Sequence, residues 1–194
     1  MRLGILGGTF DPVHIGHLVV ANEARFALGL DRMLLVVAND PWQKSAEGEL
    51  TPAGDRFALV AAAVSGTEGL EASRIELERG GPSYMVDTAR QLAASFPGAE
   101  LFLVVGADVV TGLDTWHRVE DLAPLVTLVV AERGGVETVP DPEGWNVVRL
   151  PVPGLDVSSS DLRRRLAEGA PVDFLIPPAA IRCIVRRGLY AVHR

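Results

Sequence analysis

Cysteine is all but missing from this chain: one residue, Cys183, among 194. A lone cysteine excludes an internal disulfide, and its apolar neighbours predict a buried thiol. Long hydrophobic runs are missing too. Runs such as Leu101 to Val105 and Leu125 to Ala131 are strand-sized and far short of a membrane span. There is no repeat, linker or low-complexity tract. Nor is there an excess of positive charge: 18 basic residues against 25 acidic give a net charge of −7. That balance argues against a polyanion such as nucleic acid as the main partner, but a few local donors can still hold a small phosphorylated ligand. Residues 1–7 run straight into a glycine turn, so they read as a first strand and not an export signal. With no disulfide framework, a cytoplasmic location without membrane attachment is expected. Self-association is left open.

What is present is enough apolar sequence for one domain, 48% of residues. Residues 2–6 and 33–38 are continuous apolar runs, as in strands covered on both faces. Helical spacing over 15–28 between them implies a right-handed parallel crossover. Thr51-Pro52 opens a second helix reaching about Val64, with threonine as its cap and proline in its first turn. Strands are predicted at 73–78, 100–106, 125–131 and 146–150, and helices at 84–95, 159–168 and 178–187. The economical fold is α/β: a Rossmann-like open, mostly parallel sheet with helices on both faces over 1–157. A small C-terminal helical lobe over 158–194 completes it.

Two segments carry chemistry. Gly7-Gly8-Thr9-Phe10-Asp11-Pro12-Val13-His14-Ile15-Gly16-His17 joins the first strand to the first helix. Such a turn exposes backbone N–H groups at a positive helix end and lets a ligand approach without a Cβ in the way. His14 and His17, two of only four histidines, are three residues apart and share one helix face. Imidazole N–H groups there can stabilise charge moving onto a leaving group. The second segment is Val157-Ser158-Ser159-Ser160-Asp161-Leu162-Arg163, a serine cluster opening a helix with an arginine in its first turn. It supplies caps, free N–H groups and a guanidinium able to fork onto phosphate oxygens. Arg164 and Arg165 read as solvated or ion-paired. Weaker signals lie between the two segments. Gly106-Ala107-Asp108 ends a strand, where open parallel sheets place ligand-binding loops. Leu113, Trp116 and His117 can flank a flat ring, and Lys44 lies in a polar loop after the second strand.

The first segment resembles the N-terminal motif of the nucleotidyltransferase superfamily of Rossmann-like adenylyltransferases. The second resembles that superfamily's Ile-Ser-Ser-Thr-x-Ile-Arg motif, with Ser160 and Leu162 keeping the hydroxyl and the apolar anchor. His14-Ile15-Gly16-His17 is also a motif of class I aminoacyl-tRNA synthetases. Those are far longer chains with a Lys-Met-Ser-Lys-Ser loop, which is absent here. The remaining pieces are Lys44, Ser83-Tyr84, Asp87-Thr88, Gly106-Ala107-Asp108, Trp116, Arg133 and the closing Gly188-Leu189-Tyr190. With them the whole chain resembles the bacterial nicotinate-nucleotide adenylyltransferase family. It departs from that family at Pro41-Trp42-Gln43-Lys44, where Pro-Pro-His-Lys is usual, and at Arg133-Gly134-Gly135, where Arg-Pro-Gly is commoner.

The resemblance implies transfer of an adenylyl group from ATP to nicotinate mononucleotide, a step of NAD biosynthesis, with Mg²⁺ held mainly by the ATP phosphates. It places the Gly8-Thr9-Phe10 backbone, His14 and His17 at those phosphates, and Lys44 and Arg163 at the departing pyrophosphate. Gly106, Asp108, Arg133, Ser158 and Ser159 fall to the rest of ATP, and Thr88, Leu113, Trp116 and His117 to the pyridine ring. Two alternatives remain at this point. One is a different acceptor, nicotinamide mononucleotide or phosphopantetheine; the other is a nucleotide-sensing module without catalysis.

Overall fold

Strands made of Val and Leu on both faces have no polar side to give to water, so helices must cover them twice. The computed structural model, which describes residues 1–41, 50–133 and 140–190, shows how this is done. Strands β1 (Arg2–Gly8), β2 (Arg32–Val37), β3 (Leu70–Ser73), β4 (Glu100–Gly106), β5 (Thr127–Arg133) and β6 (Val147–Val152) form one sheet. Its order is β3-β2-β1-β4-β5-β6, and every neighbouring pair is parallel. The helices are α1 (Ile15–Ala27), α2 (Ala53–Val64), α3 (Ile75–Arg79), α4 (Met85–Ser95), α5 (Ala107–Val110), α6 (Val119–Leu122), α7 (Ser159–Glu168) and α8 (Pro178–Arg187).

The chain lays down β1, β2 and β3 in one direction, then crosses back to place β4 on the other side of β1. That reversal makes the β1–β4 junction the switch point, where the loops at the strands' carboxyl ends part and leave a crevice. On one face Leu6, Val104 and Val129 pack with Ala21 and Ala24 of α1, Leu59 and Val60 of α2, Leu162 of α7 and Ile184 of α8. On the other, Leu3, Ile5, Leu103 and Leu128 pack with Val86 and Leu92 of α4, Val110 of α5 and Leu122 of α6. The two C-terminal helices thus share the core of the first face, with α8 lying along α2. Cys183 is buried in that core as a free thiol. No helix among the described residues is long and apolar enough to cross a membrane.

Two local expectations need correction. Residues 73–78 are not a strand: β3 ends at Ser73, and Ile75–Arg79 is a helical turn stopped by Gly80 at φ 70°. The Ile-x-Leu alternation mimicked a strand. Its flanking Glu and Arg are good helix formers, and the turn brings Glu76 and Arg79 to the same partner, Thr88. Thr51 does not cap α2 either. Pro52 occupies the cap position, while the Thr51 N–H goes to Asp11 Oδ2 and its carbonyl accepts from Arg56.

Candidate active site

Gly8, Thr9 and Phe10 carry the chain off the end of β1 into a tight turn. Phe10 is left-handed at φ 52°, a conformation that costs a bulky residue roughly 1–3 kcal/mol and persists only where the surroundings enforce it. The enforcement is visible. The Phe10 ring is buried against Gly8, where a Cβ would stand 2.9 Å from its Cζ, and its centroid lies 4.9 Å from that of His17 in an edge-on contact. One peptide further on, the Asp11–Pro12 bond is cis.

His14 and His17 stack with ring centroids 3.7 Å apart. His17 Nδ1 accepts the His14 backbone N–H at 3.2 Å. A nitrogen that accepts carries no proton, so the ring N–H of neutral His17 is on Nε2. His14 is 5% exposed; burial above all, then the charge of Arg133, pulls its pKa from 6.5 down to about 4. It is therefore a neutral imidazole at working pH. Gly16 between them leaves little room: a Cβ there would meet the His14 ring and Val157 Cγ1 at 3.1 Å. The expected amide cradle at the start of α1 is partly occupied. The Ile15 N–H donates to the Leu175 carbonyl and the His17 N–H to that of His14.

The distant serine–arginine segment docks onto this turn. Ser158 caps α7 by accepting the Asp161 N–H at 3.2 Å. Ser159 Oγ donates to the Pro12 carbonyl at 2.9 Å, and Arg163 Nη1 to the Asp11 carbonyl at 2.6 Å. Arg163 Nη2 also reaches Ser160 Oγ at 3.2 Å. Arg133, at the carboxyl end of β5, is close enough for its charge to act on His14. His14, His17, Arg133 and Arg163 thus converge on one side of the switch point. Arg164 and Arg165 turn away and pair with Asp161.

A cleft of about 150 Å³ opens beside the turn, lined by Gly7, Gly8, Thr9, Met85, Trp116 and His117 among others. Met85 closes over Gly7, where a Cβ would come within 2.6 Å of its Cε. The Tyr84 and His117 rings stack at 4.1 Å on the rim, a flat aromatic boundary suited to a planar ring. Of the residues expected at such a ring, Trp116 and His117 line the cleft; Thr88 and Leu113 are not among the lining residues. Leu113 is core, and Thr88 is fully buried, donating its hydroxyl to Glu76 Oε1 at 2.5 Å. Gly106 and Asp108 sit at the end of β4, with Asp108 Oδ1 folded over Gly106 where a side chain would collide at 2.3 Å. Lys44 and Gly134-Gly135 lie outside the described residues.

Sequence reasoning missed a buried polar layer beneath the turn. Asp11, 3% exposed, accepts from Tyr190 at 2.6 Å through Oδ1 and from the Thr51 N–H at 3.3 Å through Oδ2. Burial first, and that carboxylate second, push the Tyr190 phenol upward, so it stays a donor. Arg56, 1% exposed, lies alongside. One signal was readable: Arg56 occupies the apolar stripe of α2 with Leu59, Val60, Ala63 and Val64, where a solvated arginine does not belong.

A doubly wound parallel sheet with a glycine turn, two stacked imidazoles and a docked serine–arginine helix start at its switch point is the arrangement of a Rossmann-like nucleotidyltransferase. The cytidylyltransferase-like family matches residues 5–165. A Thermus thermophilus protein named "Probable nicotinate-nucleotide adenylyltransferase" is 43% identical over 98% of this chain and 100% of its own length. One of the same name from Streptomyces coelicolor is 41% identical over 95% of this chain and 98% of its own. The fold is also that of Plasmodium falciparum nicotinic acid mononucleotide adenylyltransferase complexed with NaAD, with a TM-score of 0.77 at 18% identity, covering 97% of both chains. The chain belongs to the nicotinate-nucleotide adenylyltransferase family, and it is a nucleotidyltransferase enzyme.

Proposed function

We propose that the protein transfers the adenylyl group of ATP to nicotinate mononucleotide, giving deamido-NAD and pyrophosphate. The observation that carries this reading is the docking of Ser159 and Arg163 onto Asp11 and Pro12, beside the stacked histidines. Two phosphate-type motifs from opposite ends of the chain become one basic site at the switch point. The aromatic cleft next to it supplies room for a second, flat ring.

In this reading the mononucleotide's phosphate oxygen attacks the α-phosphorus of ATP in line. The bond from the α-phosphorus to the bridging oxygen breaks, and pyrophosphate leaves with the electron pair. The attacking oxygen is already anionic near neutral pH, so positioning and charge neutralisation carry the rate. His17 donates from Nε2 and neutral His14 supports it, while Arg163 and Arg133 balance charge growing on the leaving group. Lys44 is assigned to the same charge, and Gly106 and Asp108 to the adenosine side. Trp116 and His117 border the pyridine ring. In this reading magnesium enters with the nucleotide, held mainly by the ATP phosphates.

Pyrophosphate release, measured with ATP and either nicotinate or nicotinamide mononucleotide, tests the assignment. A clear preference for nicotinate is expected. Equal rates would remove the nicotinate assignment and keep adenylyl transfer; no release with either would remove both.

A further inference from the structure

Arg56 is a cation in the protein interior, and its hydrogen bonds go to backbone carbonyls. Nη1 donates to Thr9 O at 2.7 Å, Nε to Thr51 O at 2.7 Å and Nη2 to Asn39 O at 3.3 Å. One side chain therefore ties the turn after β1 to the chain just beyond β2 and to the entry of α2. Asp11 balances the charge nearby.

The bond to Thr9 has a directional consequence. In a trans peptide the carbonyl and the N–H point in opposite directions, and among the described residues the only cis bond is Asp11–Pro12. With the Thr9 carbonyl turned inward onto the guanidinium, the Phe10 N–H is turned outward. A charged donor on the carbonyl also polarises that peptide and makes its N–H a better donor. The left-handed Phe10 leaves this peptide plane poorly fixed by its own preferences.

We propose that Arg56 is a positioning residue for the triphosphate. It fixes the flip of the Thr9–Phe10 peptide so that the Phe10 N–H faces the ATP phosphates. The proposal rests on the adenylyl-transfer reading, and two measurements separate them. In ¹⁵N-labelled wild-type protein, saturation with the magnesium complex of ATP should shift the Phe10 amide resonance strongly. Binding that leaves this resonance in place overturns the Arg56 role while the nucleotide reading stands. Failure to bind ATP at all removes that reading, and the Arg56 role with it.

The second measurement uses Arg56→Lys, which keeps the charge and loses the fork. We expect kcat/KM for ATP to fall about tenfold or more, with the mononucleotide KM within about twofold of wild type. A proportional loss in both substrates would mark Arg56 as merely structural, as would unchanged ATP kinetics. Should the variant fail to fold, the wild-type Phe10 resonance still decides.

Discussion

Protonating His14 should destabilise the fold, and the size of the effect follows from its burial. The group binds a proton at 6.5 when exposed and at about 4 in the fold, where burial dominates and Arg133 adds repulsion. Between those values the unfolded chain holds more protons than the folded one, so stability rises with pH through the window and is lost as pH falls. Above 6.5 His14 contributes nothing to the slope; below about 4 the full penalty is present. At about pH 5 the unfolded side gains a factor near ~30 in proton binding and the folded side almost none, which is about 2 kcal/mol. Urea unfolding at about pH 7 and pH 5, in wild type and in His14→Gln, isolates the term, because carboxylates titrating in both proteins cancel in the double difference. The wild type should lose about 2 kcal/mol more than the variant on acidification. Equal losses would show that His14 takes up its proton inside the fold, and the neutral-imidazole account of the site would fall with it.

Other expectations are direct. Purified His17→Ala should lose about two orders of magnitude in kcat with a folded circular-dichroism spectrum; near-normal turnover would remove His17 from the mechanism. Gly16→Ala gains up to about 1 kcal/mol of helix propensity, yet its Cβ must push the His14 ring or Val157 aside from 3.1 Å. Melting temperature should therefore hold while kcat drops about tenfold, and an unchanged kcat would show that the stacked pair tolerates displacement. Thr88→Val should cost about 1–3 kcal/mol in urea unfolding, because buried Glu76 loses its donor. The mononucleotide KM should stay put; a rise above about tenfold in folded protein would put the Thr88 hydroxyl in contact with ligand.

The legible parts of this fold are those whose signals are local. Helices α7 and α8 lie where they were expected because Ser158 caps the first, and Gly169 and Gly188, both left-handed, end them. The stretch after β3 was misread because five residues cannot distinguish a period of two from one helical turn; the partner that decides it, Thr88, is twelve residues from Glu76. The same limit hid the layer under the glycine turn. Tyr190 and Asp11 are 179 residues apart, and nothing in either neighbourhood announces the other. Thr88 was legible as a residue of interest, but its side-chain direction was not. The helical face that buries it depends on where α3 packs.

Sheet order is what turns two separate motifs into one site. Periodicity places the first at the end of β1 and the second just beyond β6, and says nothing of the distance between them. With β4 and β5 in between, β6 lies three strands from β1, about 14 Å at a spacing of 4.7–4.9 Å. From Val152 at the end of β6 to Ser158 at the cap of α7 is a connection of six steps, about 20 Å when extended. That is enough to recross two strands and set Ser159 and Arg163 on the turn, with little slack left over. A shorter connection would strand α7 over β5, and the Asp11 and Pro12 carbonyls would lose the donors that now hold the cradle in shape.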